Sequence, residues 1–177
     1  AILARINHIF GDIWTGDVDA DGFPVNPFTD EGEIMREQTL LERSLRAMTL
    51  RPEDREIDHL DDMVQLVKGC KMYESLNSEV LPYEVSKNLV LDIFEDGQVI
   101  IQQGEPGDRA YILLMGSVGI EIEQPDGTNM RVATLHAVAS FGDLALINDE
   151  PRNATCRAAS DNCFVCPMDQ THVYEPI

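Results

Sequence analysis

The sequence predicts an α+β fold: helices first, then an antiparallel β jelly-roll barrel with a short helix set into it. Three observations lead there. Between Glu31 and Val90 apolar residues recur at helical spacing. After Leu91 the period changes to runs of four to seven residues, β-branched or alternating, as half-buried strands require. Turn-forming clusters (EDG, QGEPGD, MGS, PDGTN, NDEPR) separate those runs. A PDG turn at such close spacing indicates hairpins closing into a small barrel.

Each element follows in order. Residues 12–30 are rich in Asp, Gly and Pro and read as irregular. Within them Asp17–Gly22 (DVDADG) copies the first half of a calcium loop. The twelfth position is Phe28 where a bidentate Glu is needed, and Pro24 and Pro27 interrupt the loop. A solvated acidic turn without metal is the expectation. From Glu31 to Leu50 a helix is expected on Ile34, Leu41, Leu45 and Met48, and Pro52 stops it. A second helix is expected over Ile57–Val67, with Ile57, Leu60, Val64 and Val67 on one face and Gly69 closing the end. A third is expected over Leu81–Val90. All three read as a packing layer. The strands are GQVII, RAYILL, SVGIEIE, MRVATL, NATCRAA and CFVCPM.

Composition limits the function. The 177 residues carry a net charge of −19, with twelve acids against six bases in 1–56 and twenty against seven in 57–177. Such a surface repels phosphate backbones and anionic membranes, so neither nucleic acid nor membrane is an expected partner. No apolar run approaches the ~20 residues that span a bilayer. The opening AILARINHIF lacks the basic start and long apolar stretch of a signal peptide, and a first residue other than Met suggests a piece of a longer chain. Four cysteines, three of them clustered at Cys156, Cys163 and Cys166, do not make a disulfide framework, which favours a reducing, cytoplasmic setting. Cys163 and Cys166 have CxxC spacing, but three residues along a strand point to opposite faces. A metal-dependent barrel enzyme would need several converging His, yet only His136 lies between residues 60 and 170. No nucleophile with its base can be proposed either. The chain therefore reads as a non-enzyme.

The stretch FGDLALINDEPRNAT (141–155) concentrates the chemistry. Gly142 lets backbone approach a ligand with no Cβ in the way. The apolar run Leu144–Ile147 forms one helical turn whose free N–H groups face an anion. Arg152 offers a forked, permanent cation. Taken singly, these would be a turn glycine, Asp143 as a helix N-cap and a surface ion pair; their conjunction points to a small anion.

The order GQVIIQQGEPGDRAYILLMGSVGIEI, then FGDLALINDEPRNATCRA, resembles the cyclic-nucleotide-binding domain of catabolite activator proteins, protein kinase A regulatory subunits and cyclic-nucleotide-gated channels. Gly104, Gly107, Tyr111 and Gly116 match that family's turn positions. The resemblance divides the chain into 1–56, an acidic segment that is partly irregular with a helix near 31–50, and 57–177, a cyclic-nucleotide-binding domain. Within the latter, helices occupy 57–90 and the barrel 91–168. It implies cAMP, or else cGMP, as regulatory ligand, held by Phe141, Gly142, Asp143, Leu144, Ala145, Arg152, Asn153, Ala154 and Thr155. The phosphate would meet Arg152, the ribose hydroxyl would meet Asp143, and Ala145 and Ala154 would leave room for the sugar-phosphate. It further implies that ligand binding moves the flanking helices to signal to a protein partner or effector domain of a larger chain, in the cytoplasm or in a ciliary or signalling complex. Four positions depart from the family: Asp143 replaces its usual Glu, His136 and Val138 stand where it has turn glycines, and Asn153 follows the arginine. Val138 is poor wherever positive φ is needed, so that turn must be rebuilt. The family's lid helix over the base is truncated or absent in THVYEPI. A degenerate domain serving as a docking platform without ligand is the alternative.

Overall fold

The computed structural model describes residues 2–11, 39–70 and 80–169. The Asp17–Gly22 half-loop, the start of the helix expected from Glu31, and THVYEPI lie outside the described residues.

Among the described residues, four helices and a 3₁₀ turn form the first layer. α1 (Ile2–Phe10), which the sequence reading did not anticipate, buries Ile6 and packs Ile2, Ile9 and Phe10 on the core. α2 (Leu40–Met48) starts at Thr39, whose Oγ1 accepts from the Glu42 amide at 3.2 Å, satisfying one of the helix's orphan donors. Leu45, Ala47 and Met48 are buried on it. A 3₁₀ turn at Pro52–Asp54 leads into α3 (Ile57–Val67), which has the expected bounds. Its buried face is Met63, Val64, Leu66 and Val67; Ile57, expected there, is 71 % exposed because the first helical residue sits where the chain arrives over solvent. Lys68 rather than Gly69 caps the helix. α4 (Val80–Asn88) precedes the strands.

Eight strands among the described residues make two four-stranded antiparallel sheets. β1 (Asp92–Phe94), β8 (Cys163–Asp169), β3 (Arg109–Met115) and β6 (Ala139–Phe141) form one, in that order. β2 (Val99–Ile101), β7 (Thr155–Ala158), β4 (Ser117–Glu123) and β5 (Asn129–His136) form the other. Helices followed by antiparallel β is the expected architecture. Among the described residues, however, no strand pairing closes the two sheets into a barrel. Tyr111 lies within β3, as the RAYILL run implies, and not at the turn position that the resemblance gave it. The PDG turn joins β4 to β5, with Asp126 accepting from the Thr128 amide at 2.9 Å.

The first sheet is covered on both faces. Ala110, Ile112, Leu114, Phe164, Cys166 and Met168 pack with the helices, whereas Leu113, Cys163 and Val165 pack with Ile101, Val118, Phe141, Cys156 and Ala158 between the sheets. Cys163 and Cys166 thus enter different cores, as strand alternation demands. Both thiols are free, and burial pushes Cys163 up to about 11 and Cys166 higher still.

Candidate ligand-binding site

β6 ends at Phe141 and the chain turns through Gly142 into a short helix, α5 (Asp143–Asn148). Gly142, not Asp143, is the N-cap, and the helix is longer than the single turn expected at 144–147. Gly142 has φ 78°, a left-handed conformation that glycine adopts without steric penalty. A Cβ there would stand 2.8 Å from Ile101 Cδ1 and 3.1 Å from Arg152 Nη1. The close approach that the sequence demands of this glycine is therefore to the protein's own arginine. Gly107 plays a similar part, because a Cβ on it would overlap Ala145 Cβ and push α5 away. At the turn before β6, where positive φ was the concern, no residue from His136 to Ser140 adopts it, and the chain passes through a cis Ala137–Val138 peptide.

Arg152 is pinned from both ends. Its amide donates to Glu105 O at 2.8 Å and its carbonyl accepts from the Gly104 amide at 2.7 Å. Its guanidinium donates from Nη1 to Gly142 O at 2.7 Å and from Nη2 to Arg109 O at 2.5 Å. The residue is only 6 % exposed. Its ion pair with Asp108 is long, 4.0 Å, and that carboxylate is 77 % exposed, so it neutralises the cation weakly.

These segments line a cavity of about 270 Å³, near the lower end of ordinary small-molecule sites, roughly 300 Å³ upward. Of the nine residues expected from sequence, eight line it: Phe141, Gly142, Asp143, Leu144, Ala145, Arg152, Asn153 and Ala154. Thr155 does not. Its Oγ1 accepts from the Gln103 amide at 3.1 Å and from Gln102 Nε2 at 3.3 Å instead. Adjacent residues of β7 face opposite ways, and Cys156 takes the cavity side. Sequence reasoning missed the apolar floor of Ile101, Ile120, Ile122 and Cys156, although alternation in SVGIEIE and NATCRAA carried the signal. Burial pushes the Cys156 thiol up to about 11 against the pull of Arg152, so this floor is uncharged. Burial likewise raises the Tyr111 hydroxyl; its ring stacks on Phe141 at 5.4 Å and backs the cavity wall.

Chemically, the arrangement is a buried guanidinium with no carboxylate nearer than Asp108 among the described residues, opening onto a small and mostly apolar space. A buried cation left this incompletely compensated favours an anion. A larger hollow, about 840 Å³, lies behind the same loops, but Asp108, Asp149, Glu150 and Asp169 line it against Arg109 alone, which repels anions. Among the described residues no group of three or more His, Cys, Asp or Glu is placed to hold a metal.

Known proteins share this fold. The family model for the cyclic nucleotide-binding domain matches residues 91–175. Over those residues the chain is similar to the cyclic nucleotide-binding domain family. A cAMP-dependent protein kinase regulatory subunit of Dictyostelium discoideum is 40 % identical over 105 residues, covering 52 % of this chain and 32 % of the relative. The chain thus spans about a third of that relative's length. Among solved structures, the regulatory domain of Toxoplasma gondii PKA, crystallised with cAMP, superposes with a TM-score of 0.60 at 20 % identity, covering 67 % of this chain and 44 % of that one. The regulatory subunit of a cAMP-independent protein kinase A from Trypanosoma brucei gives 0.56 at 22 %, covering 71 % and 42 %. At these identities the superpositions establish the domain's fold, which a cAMP-independent regulatory subunit shares. The matched stretch is thus similar to part of a kinase regulatory subunit.

Proposed function

We propose that the cavity between α5 and Arg152 binds a 3′,5′-cyclic nucleotide, and that binding shifts the helices flanking the sandwich. The observation that carries this reading is the Arg152 guanidinium, 6 % exposed and aimed along the cavity wall, with main-chain carbonyls as its near partners. Two carbonyls hold the guanidinium in place without cancelling its charge. A cyclic phosphodiester supplies the one negative charge such a site lacks, and the amides at the start of α5 add dipoles of the right sign. Asp143 lines the same cavity, and no hydrogen bond occupies its carboxylate among the described residues, leaving it to accept from a ribose hydroxyl. The apolar floor suits the base.

cAMP is preferred over cGMP in this proposal. Guanine brings a carbonyl, a ring N–H and an amino group to its edge, and a floor of three isoleucines and a neutral thiol would leave several of them unpaired, at roughly 1–3 kcal/mol each. Movement of the helices requires a ligand that favours one of two arrangements, with couplings typically about 1–3 kcal/mol. The effector would be another domain or protein partner, and the module itself would be regulatory and non-catalytic.

Calorimetric titration with cAMP and with cGMP tests the reading. Heat with cAMP is expected, with weaker binding of cGMP. Arg152→Ala should lower affinity on the order of a hundredfold, because a charge-assisted contact contributes roughly 1.5–3 kcal/mol. A second reading, a docking platform without ligand, draws on the same guanidinium, since both of its terminal nitrogens already have acceptors. No heat from the intact chain with either nucleotide would establish that reading in place of the first.

A further inference from the structure

Arg55 stands between the 3₁₀ turn and α3, far along the fold from Arg152, and is 8 % exposed. Among the described residues its guanidinium has no carboxylate partner. It donates instead to five main-chain carbonyls. Met48 O and Leu50 O, at the end of α2, each lie 3.2 Å from Nη2. Ser86 O at 3.1 Å, Lys87 O at 2.7 Å and Leu89 O at 2.8 Å belong to the end of α4. The last carbonyls of any helix lack intrahelical donors, and each helix C-terminus carries roughly half a negative charge. Two such termini meeting on one guanidinium offset its charge and explain how an arginine is buried here without an acid. α3 joins the same body through Arg43, whose Nε and Nη2 reach the two Asp62 oxygens at 2.8 and 2.9 Å. From α4 the chain runs through buried Leu89 and Leu91 straight into β1.

We propose that Arg55 is a positioning residue that clamps the C-termini of α2 and α4 together, so that α2, α3 and α4 move as one body and pass displacement on to β1. The clamp is a property of the unliganded fold; its part in signalling rests on the nucleotide reading above. The experiment therefore has two arms. Hydrogen–deuterium exchange of the chain without ligand reads the clamp. Arg55→Ala should speed exchange at least tenfold in the last turns of both α2 and α4 while β3, β4 and β8 keep their protection. Leu45→Ala, which opens the α2 core without touching the clamp, should not loosen the end of α4. Should Arg55→Ala fail to fold, Arg55→Lys carries this arm, since it keeps the charge but not the fork and should free at least one helix end. The second arm measures the distance between spin labels at Gln65→Cys on α3 and Asn129→Cys on β5, with and without saturating cAMP. The cAMP-induced change should survive Leu45→Ala and vanish in Arg55→Ala, with cAMP affinity by calorimetry kept within about twofold. Unchanged protection at both helix ends in the Arg55 variants overturns the clamp, and so does a full distance change in Arg55→Ala. If the intact chain gives no heat with cAMP or cGMP, the nucleotide reading falls and the exchange arm alone decides on Arg55.

Discussion

At Gly142 a backbone requirement and a charge requirement fall on one atom group. The residue must take φ 78°, and its carbonyl must stay 2.7 Å from Arg152 Nη1. Gly142→Ala puts a Cβ into the left-handed region, at roughly 1–2 kcal/mol, and drives it against Ile101 and the guanidinium. Urea unfolding should show a loss of at least about that size, and cAMP titration should show weaker binding in the same variant. An alanine variant with unchanged midpoint and affinity would mean that the carbonyl does not hold Arg152 in place. At this scale the sequence was informative about side chains and silent about their backbone partners. Gly142, Asp143 and Arg152 could be read as a group because they lie within eleven residues of one another. The second acceptor, Arg109 O, is 43 residues from Arg152, and nothing in a local pattern announces a carbonyl.

Between elements, the clearest tie on the second sheet is the Glu121 carboxylate of β4, which accepts from Arg131 of β5 at 3.0 Å and from Arg157 of β7 at 3.2 Å. Gly119 makes this possible by having no side chain where the Arg131 guanidinium lies across the strand. Burial pushes the Glu121 carboxyl up, but the two arginines together outweigh it and hold its pKa below the ordinary 4.5. A carboxylate with a depressed folded pKa contributes stability that is complete above its unfolded value and is lost as pH falls through the folded one. Thermal melts of the intact chain and of Glu121→Gln should therefore differ most at neutral pH. The gap should close as pH drops below about 4.5. A gap that stayed constant down to pH 3 would remove the arginine pairing as its cause. The strands that Glu121 ties were legible, since β4, β5 and β7 each carry alternation over four residues or more. β1 and β6 were not, because DIF and ASF lack the β-branched run that marked the equally short β2 within GQVII. α1 was legible as Ile2, Ile6 and Ile9 at helical spacing.

Across the whole molecule the layers run helices, first sheet, second sheet, and this order explains the two kinds of strand in the sequence. RAYILL and CFVCPM are apolar almost throughout because β3 and β8 face a core on either side; SVGIEIE alternates because β4 has one wet face. The candidate cavity is floored by the second sheet, whereas the helices rest on the first. Any displacement passing from one to the other must cross the first sheet, which works only if all three layers form one cooperative unit. Phe164 tests that. It is fully buried, points into the helical core from β8, and is paired in register with Ile93 of β1 and Met115 of β3. Removing its ring should leave a cavity between helices and sheet, at roughly 3–5 kcal/mol. Scanning calorimetry of Phe164→Ala should show one transition shifted to lower temperature, with calorimetric and van't Hoff enthalpies equal, as for the intact chain. Two resolved transitions in either protein would mean that the helices can melt off a surviving sandwich. In that case the first sheet would be a floor beneath the helices and could not carry movement to them.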